Sequence, residues 1–218
     1  MNINELKNIK MTPSLAYILG LIFPLYKEKR LNAHDYIIGS VNHNAGKVTQ
    51  NELDSHYKTI YELIHKYNET KNITLMTNKT ANYTISPKEG FSVLIETTNV
   101  SEEKTMDILY SKVKEIKTAN KEIRTEFVKG CFDGRSSWDT TAHFLSIDVD
   151  RNYERQDLII EIIESLGIHL NVNRRDKNHK KNDQLRIKYT SLHYFMSNIG
   201  LYSECRTKII EKAFMQID

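Results

Sequence analysis

The longest apolar stretch of the chain, Leu15 to Leu25, is broken only by Gly20 and Pro24. Thr12 is a good N-cap, and Pro13 suits the first helical turn after it. A helix is therefore predicted over Ser14 to Phe23, ended by Pro24, whose ring disfavours helical geometry in the residue before it. This helix is apolar all round, so it must be buried all round. Gly20 at its middle costs about 1 kcal/mol of helix propensity relative to Ala, which makes sense if another backbone packs closely there. Asp35 to Asn42 reads as a strand with a glycine break. Gln50 to Tyr67 carries Leu53, Tyr57, Ile60, Tyr61 and Ile64 at three-to-four spacing, the pattern of an amphipathic helix. Asn72 to Met76 and Gly90 to Thr97 read as strands, with Asn78 to Glu89 as a strand and turn between them. Glu102 to Asn120 reads as a helix, capped by Ser101, with Met106, Leu109, Val113 and Ile116 on one face.

The order then recurs. Ile123 to Cys131 is a second apolar helix, followed by Phe132-Asp133-Gly134. Thr141 to Val149 reads as a strand, and Asn152 to Leu166 as a helix closed by Gly167. His169 to Asn173 and Gln184 to Tyr189 read as a hairpin with a basic tip. Ser191 to Ile199 and Ser203 to Phe214 read as final helices. Gly20 and Gly130 lie 110 residues apart, close to half of the 218-residue chain. The pattern predicts a diverged duplication, with halves at 1–120 and 121–218.

Composition narrows the class. With 39% apolar and 27% charged residues the chain is an ordinary globular one, and a net charge of +3 says little by itself. Cys131 and Cys205 form no zinc-ligand pattern and fit a reducing compartment. No signal-peptide pattern is present and the apolar run is too short to span a bilayer, so no membrane partner and a cytoplasmic location are expected. No Walker A motif or Gly-x-Gly-x-x-Gly follows a strand, which argues against a nucleotide-binding enzyme.

Leu15-Ala16-Tyr17-Ile18-Leu19-Gly20-Leu21-Ile22 resembles the first part of the LAGLIDADG motif of homing endonucleases. Glu126-Phe127-Val128-Lys129-Gly130-Cys131-Phe132-Asp133-Gly134 resembles a second copy, and Ile163-Glu164-Ser165-Leu166-Gly167-Ile168 a later passage of that family. The resemblance covers roughly residues 12 to 205 and implies an α+β fold: a pseudo-twofold saddle of two antiparallel sheets with helices packed on one face. It also implies motif helices packed backbone to backbone, a duplex DNA partner, and acidic residues at the helix feet holding a divalent metal such as Mg²⁺. The positions matching those acids, five residues after each glycine, are Leu25 and Arg135. Neither ligates a cation, so the family's mechanism does not carry over intact.

Other residues are candidates for the chemistry. Asp133 and Asp139 are oxygen ligands of the kind Mg²⁺ takes, with Glu28 as a third. Asp148 and Asp150 are further carboxylates, and Arg135 could steady developing phosphate charge. His43 and His143 are bases for a metal-free scheme. A helix end with a polar turn explains Asp133-Gly134-Arg135 equally well. For DNA contact the strongest signal is the tip and flanks of the hairpin, with Arg174, Arg175, Lys177, Lys180, Lys181, Arg186 and Lys188. Lys27, Lys29 and Arg30 follow the first motif helix, and Asn42 and Asn44 supply polar contacts beside them. Trp138 is expected as an anchor under its turn, and Cys131 as a small core residue. The leading expectation is a monomeric, Mg²⁺-dependent, sequence-specific DNA endonuclease of homing or restriction type. The alternatives are an inactive DNA- or RNA-binding regulator or maturase on the same scaffold, and an interaction protein that mimics the motif by chance.

Overall fold

After a short helix α1 (Ile3–Leu6), Thr12 opens α2 (Pro13–Ile22): its Oγ1 accepts the Leu15 N–H at 3.2 Å. The computed structural model describes residues 3–31, 33–41, 49–71, 76–77, 91–139, 141–176 and 178–214. Every residue of α2 from Leu15 to Ile22 is buried, as its all-round apolar character requires. The chain continues through β1 (Tyr26–Leu31), β2 (His34–Val41), α3 (Gln50–Lys71), β3 (Met76–Thr77), β4 (Phe91–Glu96) and α4 (Glu102–Thr118). Asn120 then caps α5 (Lys121–Arg135), accepting the Ile123 N–H at 3.0 Å. The rest is β5 (Ser136–Asp139), β6 (Phe144–Val149), α6 (Tyr153–Glu164), β7 (Leu170–Asn173), β8 (Asp183–Ile187), α7 (Tyr189–Asn198) and α8 (Glu204–Phe214).

The strands form two antiparallel sheets with the same spatial order, β1-β2-β4-β3 and β5-β6-β8-β7. Ile37, Val41, Val93 and Ile95 in the first sheet, and Leu145, Ile147, Leu185 and Ile187 in the second, point into one shared core with α2 and α5. Strand alternation turns the intervening side chains to the opposite face of each sheet.

The two motif helices cross at their glycines. A Cβ placed on Gly20 would lie 3.0 Å from the Gly130 Cα, and one on Gly130 would lie 3.1 Å from the Gly20 Cα. Only glycine allows such an approach of two backbones. Further ties join the halves. The Asp150 N–H donates to the Pro24 carbonyl at 3.1 Å, and α8 packs against α3.

Several expectations shift. The second apolar helix does not stop at Cys131 but runs through Asp133 and Gly134 to Arg135, so the polar turn expected there is helix. β1 and β5 were not foreseen as strands. β1 is an edge strand whose Lys27-Glu28-Lys29-Arg30 shows no apolar alternation, and β5 is only four residues long. Residues 141–143 form a turn before β6, with His143 at φ 50°. The segment Asn78 to Glu89 lies outside the described residues. Trp138 and Cys131 are buried, as expected. Among the described residues no helix is long and apolar enough to cross a membrane.

Candidate nucleic-acid interface

The outward face of the second sheet follows from register. Leu145, Ile147 and Val149 of β6 turn inward, so Phe144, Ser146 and Asp148 turn to the other side, where Ser146 is itself fully covered. Pairing carries that alternation to Ser137 and Asp139 on β5, Gln184 and Arg186 on β8, and Asn171 and Asn173 on β7. Apart from Phe144 the outward set is polar. Its members brace one another. The Gln184 amide donates to Asp148 Oδ1 at 3.2 Å, Arg186 Nη2 donates to Gln184 Oε1 at 3.1 Å, and the Arg186 guanidinium lies 4.3 Å from the Phe144 ring centre. Ser137 and Ser146 share a hydrogen bond of 3.0 Å across the strands. The sequence reading found Arg186 but none of the asparagines, serines or Gln184. The signal was there in the alternation of β6 and β8, once the inward set was known.

The hairpin tip is more ordered than a string of charges suggests. Arg151 donates to the carbonyls of His179 and Lys181, and His179 Nδ1 accepts the Lys181 N–H at 3.1 Å. Buried Asp183 accepts the Arg175 N–H at 2.9 Å and the Gln156 amide at 2.9 Å. Lys180, Lys181 and, past the strand, Lys188 are exposed. Arg174 turns away: it donates to Asp157 at 3.1 Å and Gln156 at 3.2 Å and covers the Tyr153 ring, so it steadies α6. Arg175 faces His179 at 3.4 Å. Lys177, Asn42, His43 and Asn44 lie outside the described residues.

In the first sheet Lys27 is exposed on β1, and Lys29 pairs with Tyr36. Arg30 belongs to the other alternation. With Glu28, Asp35 and Glu102 it lines a cleft of 340 Å³ between β1 and the start of α4. Arg30 is therefore separated from Lys27 by the sheet itself.

The three expected metal ligands do not meet. Asp133 is completely buried inside α5. It accepts from the Tyr17 hydroxyl, the Tyr202 N–H and the Ser203 N–H, each at 3.1 Å. Burial lifts its carboxyl to about 6, against these hydrogen bonds and the Arg206 charge. Asp133 thus ties α2 and the start of α8 to α5 and has no oxygen turned to solvent. Asp139 sits at the end of β5, where Oδ1 accepts the Ala142 and Thr141 N–H groups; these hold its carboxyl below the usual range. Glu28 lies in the cleft near α4, and burial, reinforced by Glu102, raises its carboxyl. Asp150 pairs with Arg155, whose guanidinium covers Tyr26 at 4.1 Å, so it too is structural. Among the described residues no group of three or more His, Cys, Asp or Glu side chains is placed to hold a metal ion.

Arg135 ends α5, where its charge suits the negative end of the helix. It is half-buried, and burial lowers its pKa while nearby Asp148 favours the cation.

No family model and no curated protein matches this sequence. Solved structures do match its shape. The homing endonuclease I-DmoI in complex with DNA and Ca superposes with a TM-score of 0.58 at 15% identity, over 92% of this chain and 97% of that one. I-DmoI in complex with DNA and Mn gives 0.56 at 15% identity, over 88% and 98%. Full-length DUF199/WhiA from Thermatoga maritima gives 0.55 at 14% identity, over 99% of this chain and 65% of that one. With its paired motif helices crossing at Gly20 and Gly130 beneath two like-ordered sheets, the chain has a LAGLIDADG-like α+β fold.

Proposed function

We propose that this chain binds double-stranded DNA with the outward faces of its sheets, reads sequence chiefly with the second sheet, and does not cut at the feet of α2 and α5. The observation that carries this reading is the outward set Asn171, Asn173, Gln184 and Arg186 on a sheet whose other face is buried in the core. Arg matches guanine, and Asn or Gln matches adenine, at major-groove edges. Exposed Lys180, Lys181 and Lys27 add phosphate contacts. The I-DmoI structures named above hold DNA, which supports the same partner. Duplex RNA fits less well, because side chains cannot enter its deep, narrow major groove.

The donor set does not fit a divalent metal. Mg²⁺ seeks carboxylate oxygens. The helix feet offer Leu25 and Arg135, while the oxygens of Asp133 are already spent.

Selection from a randomised duplex library, followed by affinity measurement across salt concentrations, tests the reading. An enriched motif is expected. Arg186→Ala should relax the preference at a single base pair, with about 1–3 kcal/mol of discrimination lost. Absence of any complex at low salt would refute DNA binding. Discrete double-strand cuts with Mg²⁺ or Mn²⁺, absent in EDTA, would establish the endonuclease instead.

A further inference from the structure

Arg135 differs from the other buried or half-buried arginines. Arg151 donates to carbonyls, Arg155 pairs with Asp150, Arg186 donates to Gln184, and Arg206 donates to Ser136. The Nε of Arg135 is enclosed without a partner, as are those of Arg155, Arg186 and Arg206, but among these four Arg135 alone has no other guanidinium donor engaged by a described residue. Asp148, the acid nearest in charge, has Oδ1 engaged by Gln184. A half-buried cation with no hydrogen-bond acceptor gives up part of its hydration in the free protein. Its position explains how that cost could be recovered. A Cβ on Gly134, one residue earlier, would meet Leu21 at 3.2 Å, so Arg135 leaves α5 immediately after a contact with α2. Asp148, beside it, belongs to the outward face of the second sheet. Arg135 therefore stands where the end of α5, the end of α2 and the second sheet meet.

We infer that Arg135 is a built-in phosphate-binding cation that takes one backbone phosphate of duplex DNA, without a divalent metal. This rests on the DNA reading above. The planar fork of a guanidinium matches two phosphate oxygens, and a partly dehydrated fork gains more from them than a solvated one. The equivalent place in the first half is Leu25, which is apolar. The contact is therefore made to one strand only.

The test uses the full chain as wild type, Arg135→Met and Arg135→Lys, with duplex affinity measured across salt concentrations in Mg²⁺ and in EDTA, and the thermal midpoint of each free protein. Arg135→Met should bind about tenfold or more weakly, with a salt slope smaller by about 0.9. Its midpoint should hold or rise, because a partly dehydrated charge without an acceptor has gone. Arg135→Lys should keep the slope and lose part of the affinity. Wild-type binding should not change in EDTA. Millimolar inorganic phosphate should not compete at constant ionic strength, since a free anion lacks the other contacts; effective competition would identify a site for the free ion and overturn the assignment to DNA. A wild-type slope in Arg135→Met, with or without a lower midpoint, overturns the inference and leaves the DNA reading standing. Dependence of wild-type affinity on Mg²⁺ also overturns it. Failure of the wild type to bind duplex removes the DNA reading itself.

Discussion

Replacing Gly20 by Ala places one methyl group between two backbones. That Cβ would come within 2.9 Å of the Cys131 nitrogen and 3.0 Å of the Gly130 Cα, and nearer still to the Phe127 carbonyl oxygen. All three obstacles are backbone, so no rotamer change relieves them. Ordinary contact lies near 3.5 Å, so the helices must separate by roughly 1 Å. A gap of that size forfeits a quarter to a half of each dispersion contact along the seam. Overpacking a well-filled core costs about 1–3 kcal/mol, and a purely backbone clash belongs at the upper end. Ala recovers about 1 kcal/mol through helix propensity. The net loss should be about 2 kcal/mol, which lowers the midpoint of a chain this size by about 4–8 °C. Thermal and urea unfolding followed by circular dichroism measure it. Gly134→Ala is the control: its Cβ would meet the flexible tip of Leu21 at 3.2 Å, so little or no loss is expected. A Gly20→Ala midpoint equal to or above the wild type would falsify the close crossing, because propensity alone predicts a gain.

Asp133→Asn should destabilise the fold by about 1–3 kcal/mol, since an amide cannot accept from all three donors that now share the carboxylate. Its pH dependence has a definite sign. The folded carboxyl titrates near 6, above its unfolded value near 3.8, so the Asp133 contribution is full below pH 4 and is lost as pH rises through 6. The stability gap between wild type and Asp133→Asn should therefore narrow over that window, and a gap that widens would contradict the burial. Lys180→Ala with Lys181→Ala should weaken duplex binding about equally across sequences and reduce the salt slope. An unchanged slope would take the hairpin tip off the DNA.

Much of the architecture was legible along the chain because burial leaves a periodic trace. The apolar run from Leu15, its Thr12 cap and its interior Gly20 together announce a helix pressed against another backbone, and Gly130 names the place on its partner. The hairpin, α3, α4 and α6 were legible for the same reason. β1 was not, since an edge strand with Lys27, Glu28, Lys29 and Arg30 has no apolar period to show. Site residues were harder. Asp133 reads as a ligand in sequence because carboxylates ligate. Only the fold reveals that Tyr17 and the adjacent pair Tyr202 and Ser203, from two distant places in the chain, already occupy it. Arg174 and Arg186 are alike as letters; tertiary contacts send one back to α6 and leave the other on the outward face. The sequence alone determined the paired glycine helices and the loss of acids at Leu25 and Arg135, because those depend on residue identity and local spacing. Which polar groups are spent internally and which face outward was decided by packing between distant segments, where a side chain's partners are set by the sheet it joins rather than by its neighbours along the chain.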